Sequence, residues 1–364
     1  MAKIINVCGA RPNFMKIAPL MRAYREHPHL TPMLVHTGQH YDRNMSELFF
    51  KQLRIPEPDL NLGIGSGSHA VQTAEIMKQF ESVVLEHKPD WVVVVGDVNS
   101  TIACGLVAKK LGVGLAHVEA GLRSFDRTMP EELNRLLTDA ISDLLFVSEP
   151  SGLKNLKHEG IPDEKVHFVG NVMIDTLRAN LEQAQRSTIL DGLDLQEGRY
   201  NVVTLHRPSN VDDAKTFAGI ADALDEIQQD LPTVFPMHPR TVANLPRLGL
   251  AERFADMKQL RVVEPLGYLD FLKLMGSAAV VLTDSGGIQE ETTILGVACL
   301  TVRANTERPV TLTSGTNTLV GTGPERIIAA YRQRRAERLS EPPVPEKWDG
   351  RAAERIAAVL AEAS

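Results

Sequence analysis

Three acidic residues in the first half of the sequence could perform acid–base chemistry, two after apolar, strand-like runs and one at the start of a predicted helix. Asp97 follows residues 91–95 (WVVVV), and Glu119 follows residues 114–118 (GLAHV). Glu131 opens a predicted helix in a Pro-Glu-Glu-Leu-Asn segment. Carboxylates that share a closed cleft can have separated pKa values, so that one acts as an acid and another as a base. We therefore predict an acid–base site built from these three residues.

Each carboxylate also has a purely structural interpretation. Thr128 and Glu131 have the spacing of a capping box, and Pro130 suits the first helical turn. Asp97 could cap a helix that begins near Ser100. Each residue alone favours a structural role, and only the three together favour chemistry.

A glycine-rich segment in the second half of the sequence predicts a phosphate site. Residues 283–291 (TDSGGIQEE) follow an apolar strand and open a helix. Gly286 and Gly287 allow a ligand to approach the backbone, and Ser285 can cap the helix, whose N-terminus attracts anions. Glu291 lies about one and a half turns into the helix, where it could accept hydrogen bonds from the hydroxyl groups of a ribose. A plain capped helix after a glycine turn explains these residues equally well.

Basic residues after two other strands could contribute to anion binding. Arg11 and Lys16 lie in residues 9–16 (GARPNFMK), after the first strand. An arginine can grip a phosphate through two hydrogen bonds, and a lysine adds a point charge. His206 follows a later strand and could bind an anion or transfer a proton. The alternatives are a solvated surface pair for Arg11 and Lys16, and a structural role for His206.

The cysteines and histidines form no metal-binding pattern. Cys8, Cys104 and Cys299 lie far apart, each in an apolar run, without Cys-x-x-Cys spacing. This distribution argues against a disulfide framework or a zinc site and favours packing in the core. We therefore expect no metal and no other cofactor.

Two series of strands and helices must position these residues. The predicted strands are residues 4–7, 33–36, 91–95, 114–118, 144–147 and 166–169, followed by 201–205, 233–236, 261–263, 280–283 and 298–302. Continuously apolar strands that alternate with helices predict parallel sheets covered on both faces. The sequence therefore predicts an α/β protein with two doubly wound domains and an active site in the cleft between them.

The domain boundary is expected between about residues 170 and 200, since Gly170 ends a strand and a polar stretch, residues 191–200, precedes the second series. The first domain is expected to comprise residues 1–170, and the second residues 171–350. Residues 351–364 are predicted to form a closing helix.

Length and composition limit the possible classes of protein. The 364 residues carry a formal net charge of −7, and 43% of them are hydrophobic, which is ordinary for folded domains. The acidic balance argues against a protein that mainly binds nucleic acid. The apolar runs fall far short of the ~20 residues that a membrane helix needs, and no signal-peptide pattern opens the chain. We therefore expect a cytoplasmic protein that contacts neither nucleic acid nor membrane.

Seven segments in this order resemble the non-hydrolysing UDP-N-acetylglucosamine 2-epimerases. They are residues 9–16, 96–97 (GD), 117–123 (HVEAGLR), 130–134 (PEELN), 206–207 (HR), 283–291 and 306–309 (TERP). The resemblance implies two Rossmann-like domains of the glycosyltransferase-B type, with the C-terminal helix packed back on the first domain. It also implies a homodimer and a UDP-sugar substrate.

The resemblance further implies a role for each candidate residue. The catalytic residues would be Asp97, Glu119, Glu131, Lys16 and His206. The residues that hold UDP would be Arg11, His206, Ser285, Gly286, Gly287 and Glu291, the last through the ribose. The reaction would eliminate UDP to give 2-acetamidoglucal and then add it back, so that C2 is inverted.

Some positions depart from the common pattern of that family. Asn13 stands where many members have glutamate, Pro208 and Ser209 replace a frequent Arg-Glu, and Val310 replaces a usual glutamate. These changes leave open a modified sugar, such as a diacetamido uronic acid, or a hydrolysing reaction. A glycosyltransferase on the same scaffold and a non-catalytic nucleotide-sugar sensor are further alternatives.

Overall fold

The computed structural model describes residues 1–38, 53, 55–336 and 344–364. The chain divides into two compact units, unit 1 (Met1–Ala179 and Glu346–Ser364) and unit 2 (Asn180–Pro345). The division lies inside a helix rather than at Gly170. The first half of this helix belongs to unit 1, since Asp175 accepts hydrogen bonds from the backbone of Ala352 and Ala353.

Unit 1 contains a sheet of seven described strands, all parallel, in the order β3-β2-β1-β4-β5-β6-β7. The strands are β1 (Ala2–Cys8), β2 (Leu30–His36), β3 (Leu60–Asn61), β4 (Trp91–Val95), β5 (Gly114–Ala120), β6 (Leu144–Val147) and β7 (Val166–Phe168). The described α-helices are α1 (Arg11–Ala23), α2 (His69–His87), α3 (Asn99–Lys110), α4 (Pro130–Ile141), α5 (Pro150–His158) and α6 (Val172–Gln185), which runs into unit 2. The closing helix of the chain, Ala352–Glu362, also belongs to unit 1.

Unit 2 contains a second parallel sheet of six described strands in the order β10-β9-β8-β11-β12-β13. The strands are β8 (Asn201–Thr204), β9 (Thr233–Pro236), β10 (Leu260–Val263), β11 (Val280–Thr283), β12 (Ala298–Thr301) and β13 (Asn317–Leu319). Its helices are α7 (Ile189–Gly192), α8 (Pro208–Val211), α9 (Ala214–Asp230), α10 (Pro239–Arg247), α11 (Ala251–Asp256), α12 (Tyr268–Gly276), α13 (Gly286–Leu295), α14 (Val310–Thr313) and α15 (Pro324–Ala336), and α16 is the closing helix of unit 1.

Consecutive apolar residues in the central strands explain why both sheets are covered. Val92, Val93, Val94 and Val95 are each at most 1% exposed. Side chains alternate between the two faces of a strand, so an unbroken buried run means that both faces are packed. This finding confirms the predicted α/β class with two doubly wound parallel sheets. None of the helices in the described ranges combines the length and apolarity that a membrane crossing requires.

In both sheets the order of the strands reverses near the middle, and the segments that contain Lys16, Asp97, His206 and Ser285 follow the strands at this reversal. In unit 1 the strand order reverses between β1 and β4, and in unit 2 it reverses between β8 and β11. Loops after such neighbouring strands diverge and leave a crevice, which is where doubly wound sheets bind ligands.

The sequence patterns missed two edge strands, β3 and β13. Each is only two or three residues long and contains asparagine. An edge strand is paired on one side only and needs little apolar surface, so it leaves no apolar run to detect.

Candidate active site

A buried ion pair between Lys16 and Glu119 lies at the carboxyl end of the unit 1 sheet. Lys16 is on α1, after β1, and its Nζ contacts Oε2 of Glu119 on β5. The two side chains are 7% and 3% exposed. The sequence grouped Lys16 with Arg11 in an anion site, whereas the structure pairs it with Glu119. The Arg11 side chain lies outside the described residues.

Gly96 provides the space for this pair. A Cβ built on Gly96 would lie 2.8 Å from the Lys16 Nζ and 3.4 Å from Oε2 of Glu119. The backbone of Gly96 also has a φ of +67°, a conformation that L side chains rarely adopt. Both the backbone conformation and the space beside Lys16 favour glycine between β4 and Asp97.

Glu119 has an unusual backbone conformation for a residue with a side chain. Its φ is +72°, and the register between β5 and β6 shifts between Val118 and Ala120. A bulge of this kind redirects a side chain out of the strand pattern. Such strain costs about 1–3 kcal/mol and persists only where the surroundings enforce it, which is common at functional sites.

Asp97 follows β4 and forms an ion pair with Arg135 of α4. The aspartate side chain is 29% exposed, whereas the arginine is 3% exposed. Helix α3 begins at Asn99 with Val98 in the capping position and no side-chain cap. The capping interpretation of Asp97 is therefore wrong, and its carboxylate is partly open at the end of the strand.

Glu131 lies in the first turn of α4 and is half-buried. The capping-box interpretation is wrong because the helix has Met129, not Thr128, in the capping position. Thr128 instead donates its hydroxyl to Asp126, at 2.6 Å. The neighbouring Glu132 takes a structural role, since its carboxylate accepts backbone N–H groups of the preceding loop.

Asn13, one of the departures from the family pattern, is part of the scaffold. Its Oδ1 accepts the backbone N–H groups of Gly9 and Ala10, each at 3.0 Å, and its Nδ2 donates to the carbonyl of Val95 at 3.1 Å. The side chain therefore joins the loop after β1 to the end of β4.

In unit 2, His206 is held by a buried aspartate that the sequence reasoning did not select. Nδ1 of His206 lies 2.9 Å from Oδ1 of Asp284, and the backbone N–H groups of His206 and Arg207 also donate to that carboxylate. Burial alone would raise the pKa of Asp284, but these hydrogen bonds and the histidine hold it below its ordinary value. The imidazole is 56% exposed, so a ligand would meet its Nε2 edge.

Asp284 precedes Ser285 and binds His206 and Arg207. It thereby links the loops after β8 and β11, the two strands at which the strand order of unit 2 reverses. Ser285 occupies the capping position of α13, but its hydroxyl makes no capping bond. The interpretation as a side-chain-capped helix is therefore wrong. The first residues of the helix are Gly286 and Gly287, and the N–H groups of a first turn are suited to bind an anion.

A buried charge network lies against the start of α13. A Cβ at Gly286 would lie 2.5 Å from an Nη atom of Arg308. Arg308 pairs with Glu290 and Glu307, each at 2.6 Å. Burial would raise the pKa of Glu307, but Arg308, Arg303 and Arg207 hold it far below its usual range. Residues 306–309, which sequence reasoning matched without a role, thus supply an arginine that fixes this helix end.

Glu291 is buried within α13, where the hydroxyl of Tyr268 donates to its Oε1 at 3.0 Å. Burial raises the pKa of Glu291 to about 8, and the charge of Glu290 adds to the rise, while the hydrogen bond from Tyr268 opposes it. At neutral pH this carboxyl group therefore carries a proton for most of the time and can donate as well as accept a hydrogen bond.

Glu291 should make unfolding pH-dependent. Its folded pKa, about 8, lies above the ordinary 4.5, so its stabilisation is complete below pH 4.5 and is lost as the pH rises through 8. In the wild type, the free energy of unfolding should fall by up to about 1.4 kcal/mol per pH unit across this range because of Glu291. Glu291→Gln should lack this fall. Urea unfolding of both proteins at several pH values across this window tests the prediction, and equal slopes would contradict it.

Comparisons of most of the chain with known proteins agree on one family. Residues 22–361 match the sequence profile of a family described as UDP-N-acetylglucosamine 2-epimerase. The UDP-N-acetylglucosamine 2-epimerase of Methanococcus maripaludis is 42% identical over 334 residues, 90% of each chain. The UDP-2,3-diacetamido-2,3-dideoxy-D-glucuronate 2-epimerase of Pseudomonas aeruginosa is 44% identical over 333 residues, 91% of each chain.

A solved structure agrees with these relatives. The UDP-GlcNAc 2-epimerase of Methanocaldococcus jannaschii, crystallised with UDP-GlcNAc and UDP, is 41% identical and has a TM-score of 0.92 over 99% of both chains. The fold is of the glycosyltransferase-B type, as expected from the resemblance.

Proposed function

This chain belongs to the family of UDP-N-acetylglucosamine 2-epimerases, and on that basis we propose that it interconverts UDP-GlcNAc and UDP-N-acetylmannosamine by eliminating and re-adding UDP. The observation that carries the mechanism is the buried Lys16–Glu119 pair at the carboxyl end of the unit 1 sheet, next to the reversal of strand order. The Lys16 ammonium group allows the Glu119 carboxylate to be ionised although it is buried, and an ionised carboxylate can accept a proton.

The order of bond breaking follows from the substrate. The C2 proton is weakly acidic because no carbonyl group is attached to that carbon. Breakage of the C1–O bond first gives an oxocarbenium-like centre, which makes the C2 proton far more acidic. Loss of this proton leaves 2-acetamidoglucal and UDP. Protonation of C2 on the opposite face and re-addition of UDP at C1 then give the epimer.

Unit 1 supplies the acid–base groups in this proposal. Glu119 removes the C2 proton in one direction, and Lys16 compensates its charge before the transfer. Asp97 and Glu131 are the candidates for the proton donor on the opposite face, since both lie near α4 and are partly open.

Unit 2 supplies most of the residues that would bind the nucleotide. The hydroxyl of Ser285 and the N–H groups of Gly286 and Gly287 would hold the phosphates, and His206 would donate to them through Nε2. These donors stabilise the charge that develops on the leaving UDP. Glu291 would bind the ribose, and Arg11 would add a charge-assisted bond to a phosphate.

Incubation of the purified protein with UDP-GlcNAc in deuterated water tests this proposal, with NMR detection. We expect UDP-N-acetylmannosamine to form and deuterium to enter C2. Free N-acetylmannosamine would indicate a hydrolysing enzyme instead. Transfer of the sugar to an acceptor without deuterium at C2 would indicate a glycosyltransferase, and binding without exchange would indicate a sensor.

The similarity to the Pseudomonas aeruginosa enzyme supports a second candidate substrate, a UDP-diacetamido uronic acid. The two identities, 42% and 44%, do not separate the candidates. A comparison of kcat/KM for UDP-GlcNAc and for UDP-2,3-diacetamido-2,3-dideoxy-D-glucuronate does so directly. A preference of at least about 100-fold for the uronate, equivalent to about 2.7 kcal/mol, would reassign the substrate.

Replacement of Asp284 with asparagine is expected to weaken UDP binding about 10-fold, equivalent to about 1.4 kcal/mol. The amide would present a donor to the N–H groups of His206 and Arg207, so the loop and the imidazole would lose their fixed position. Isothermal titration with UDP measures the effect. Asp222→Asn, which changes an exposed ion pair with Arg253 in the same unit, is the control. Equal affinity of both variants would contradict the role of Asp284.

We further propose that the protein forms a homodimer and is cytoplasmic. The family resemblance supports a homodimer, which sedimentation analysis would test. Three free, buried cysteines, Cys8, Cys104 and Cys299, are compatible with the reducing conditions of the cytoplasm, and localisation of a tagged protein would test that compartment.

A further inference from the structure

Asp139 is a buried carboxylate of α4 that has no part in the chemistry described above. It is fully buried and lies in the last turn of the helix, eight residues after Glu131 in the first turn. Burial would raise the pKa of Asp139, but the neighbouring His117 and Arg123 hold it below its ordinary value. Burial of a charged carboxylate costs free energy, which its partners have to offset. The contacts of Asp139 therefore show which part of the fold it stabilises.

The carboxylate binds the chain on both sides of Glu119. Oδ1 of Asp139 lies 2.6 Å from Nδ1 of His117, and Oδ2 accepts the backbone N–H of Gly121 at 3.0 Å. These two residues flank Glu119 symmetrically in sequence, two positions before it and two after it. One side chain therefore fixes both ends of the bulge that gives Glu119 its φ of +72°.

His117 carries the same constraint to the neighbouring strand. Its Nε2 lies 2.8 Å from the carbonyl oxygen of Gly96, and the N–H of Gly96 donates to the carbonyl of Val118 at 3.0 Å. The peptide groups around Gly96 are thus attached to β5 from both sides. Gly96 is the residue against which the Lys16–Glu119 pair packs.

Helix α4 reaches the other carboxylates with the same face. Glu131, Arg135 and Asp139 are spaced four residues apart, so their side chains project from one side of the helix. Arg135 pairs with Asp97. The helix therefore contacts the loops of β4 and β5 through separate residues.

We propose that Asp139 is a positioning residue, which acts through His117 and Gly121 to hold Glu119 in the strained conformation needed for proton transfer at C2. The proposal rests on the proposed epimerase function. It assigns Asp139 a role in kcat rather than in the binding of the nucleotide, because the proposed UDP ligands other than Arg11 lie in unit 2.

The test compares Asp139→Asn with Asp175→Asn. Asp175 is also a buried aspartate of unit 1 and also accepts two N–H bonds, from Ala352 and Ala353, but it holds the C-terminal helix. We expect Asp139→Asn to lower kcat about 100-fold, the effect of a small misplacement of a catalytic group, with KM for UDP-GlcNAc changed less than about 3-fold. Asp175→Asn should lose thermal stability but keep kcat.

A second readout does not depend on turnover. Amide hydrogen exchange of the peptide that spans residues 117–123 should become faster in Asp139→Asn and stay unchanged in Asp175→Asn. If the wild-type protein does not epimerise UDP-GlcNAc but this exchange difference appears, the proposed function fails and the positioning of Glu119 by Asp139 stands. If the wild type is active and Asp139→Asn keeps its kcat, the positioning role is wrong.

His117→Phe decides the matter if Asp139→Asn is recovered only in unfolded form. Its ring has no nitrogen, so the variant removes the bond between His117 and Asp139 through which the carboxylate holds one end of the bulge. A loss of kcat of about 10-fold without a change in KM supports the proposal, and an unchanged kcat overturns it.

Discussion

Replacement of Glu119 with glutamine is expected to lower the rate of deuterium incorporation at C2 by about 1000-fold, while UDP still binds. An amide cannot accept the proton, and a positioned general base contributes about 10²–10⁴-fold to a rate. The proposed phosphate ligands of unit 2 are left intact by this change. NMR in deuterated water measures the exchange, and titration calorimetry measures the affinity for UDP.

The same substitution also disturbs the fold, and a double variant separates the two effects. Glu119→Gln leaves the Lys16 ammonium group buried without its carboxylate, which typically costs about 3–5 kcal/mol of stability. Lys16→Met combined with Glu119→Gln removes that buried charge and should recover thermal stability without recovering exchange. If Glu119→Gln alone exchanges C2 within tenfold of the wild-type rate, Glu119 is not the base.

The candidate carboxylates could be found in the sequence because their location depends only on strand order. Glu119 directly follows one apolar run, and Asp97 follows another after a single glycine. The carboxyl ends of neighbouring parallel strands lie at one edge of a sheet. The structure also shows two features that the order of the strands does not determine. The bulge at Glu119 depends on pairing between β5 and β6, and the contact of Gly96 with Lys16 joins residues 80 positions apart.

Local patterns misled where a nearby side chain offered a competing partner. Thr128 has the spacing of a capping residue, but its hydroxyl and its backbone N–H both donate to Asp126, so the helix begins with Met129 as its cap. The partners of Asp284 and Asp139 could not be predicted from the sequence for a different reason. Asp284 binds the loop of His206, which is 78 residues away in sequence, and only the parallel pairing of β8 with β11 brings the two together.

Gly96→Ala is expected to lower C2 exchange about 100-fold although it adds only one methyl group. The new Cβ would lie 2.8 Å from the Lys16 Nζ, so the ammonium group has to move and Glu119 moves with it. A misplacement of about 1 Å is sufficient for a loss of this size. Affinity for UDP should remain within about 3-fold of the wild-type value, because all proposed ligands of UDP except Arg11 lie in unit 2.

Gly112→Ala is the matched control, because it separates backbone strain from the clash with Lys16. Gly112 has a φ of +74°, close to the +67° of Gly96, but nothing lies within 4 Å of the position of its Cβ. Both variants should lose about 1–2 kcal/mol of stability, the cost of a left-handed conformation for alanine, and thermal unfolding measures that loss. Only Gly96→Ala should lose activity. If the two variants exchange C2 at the same rate, the space beside Lys16 and Glu119 is not needed for the reaction, and the requirement for glycine at position 96 is one of backbone conformation alone.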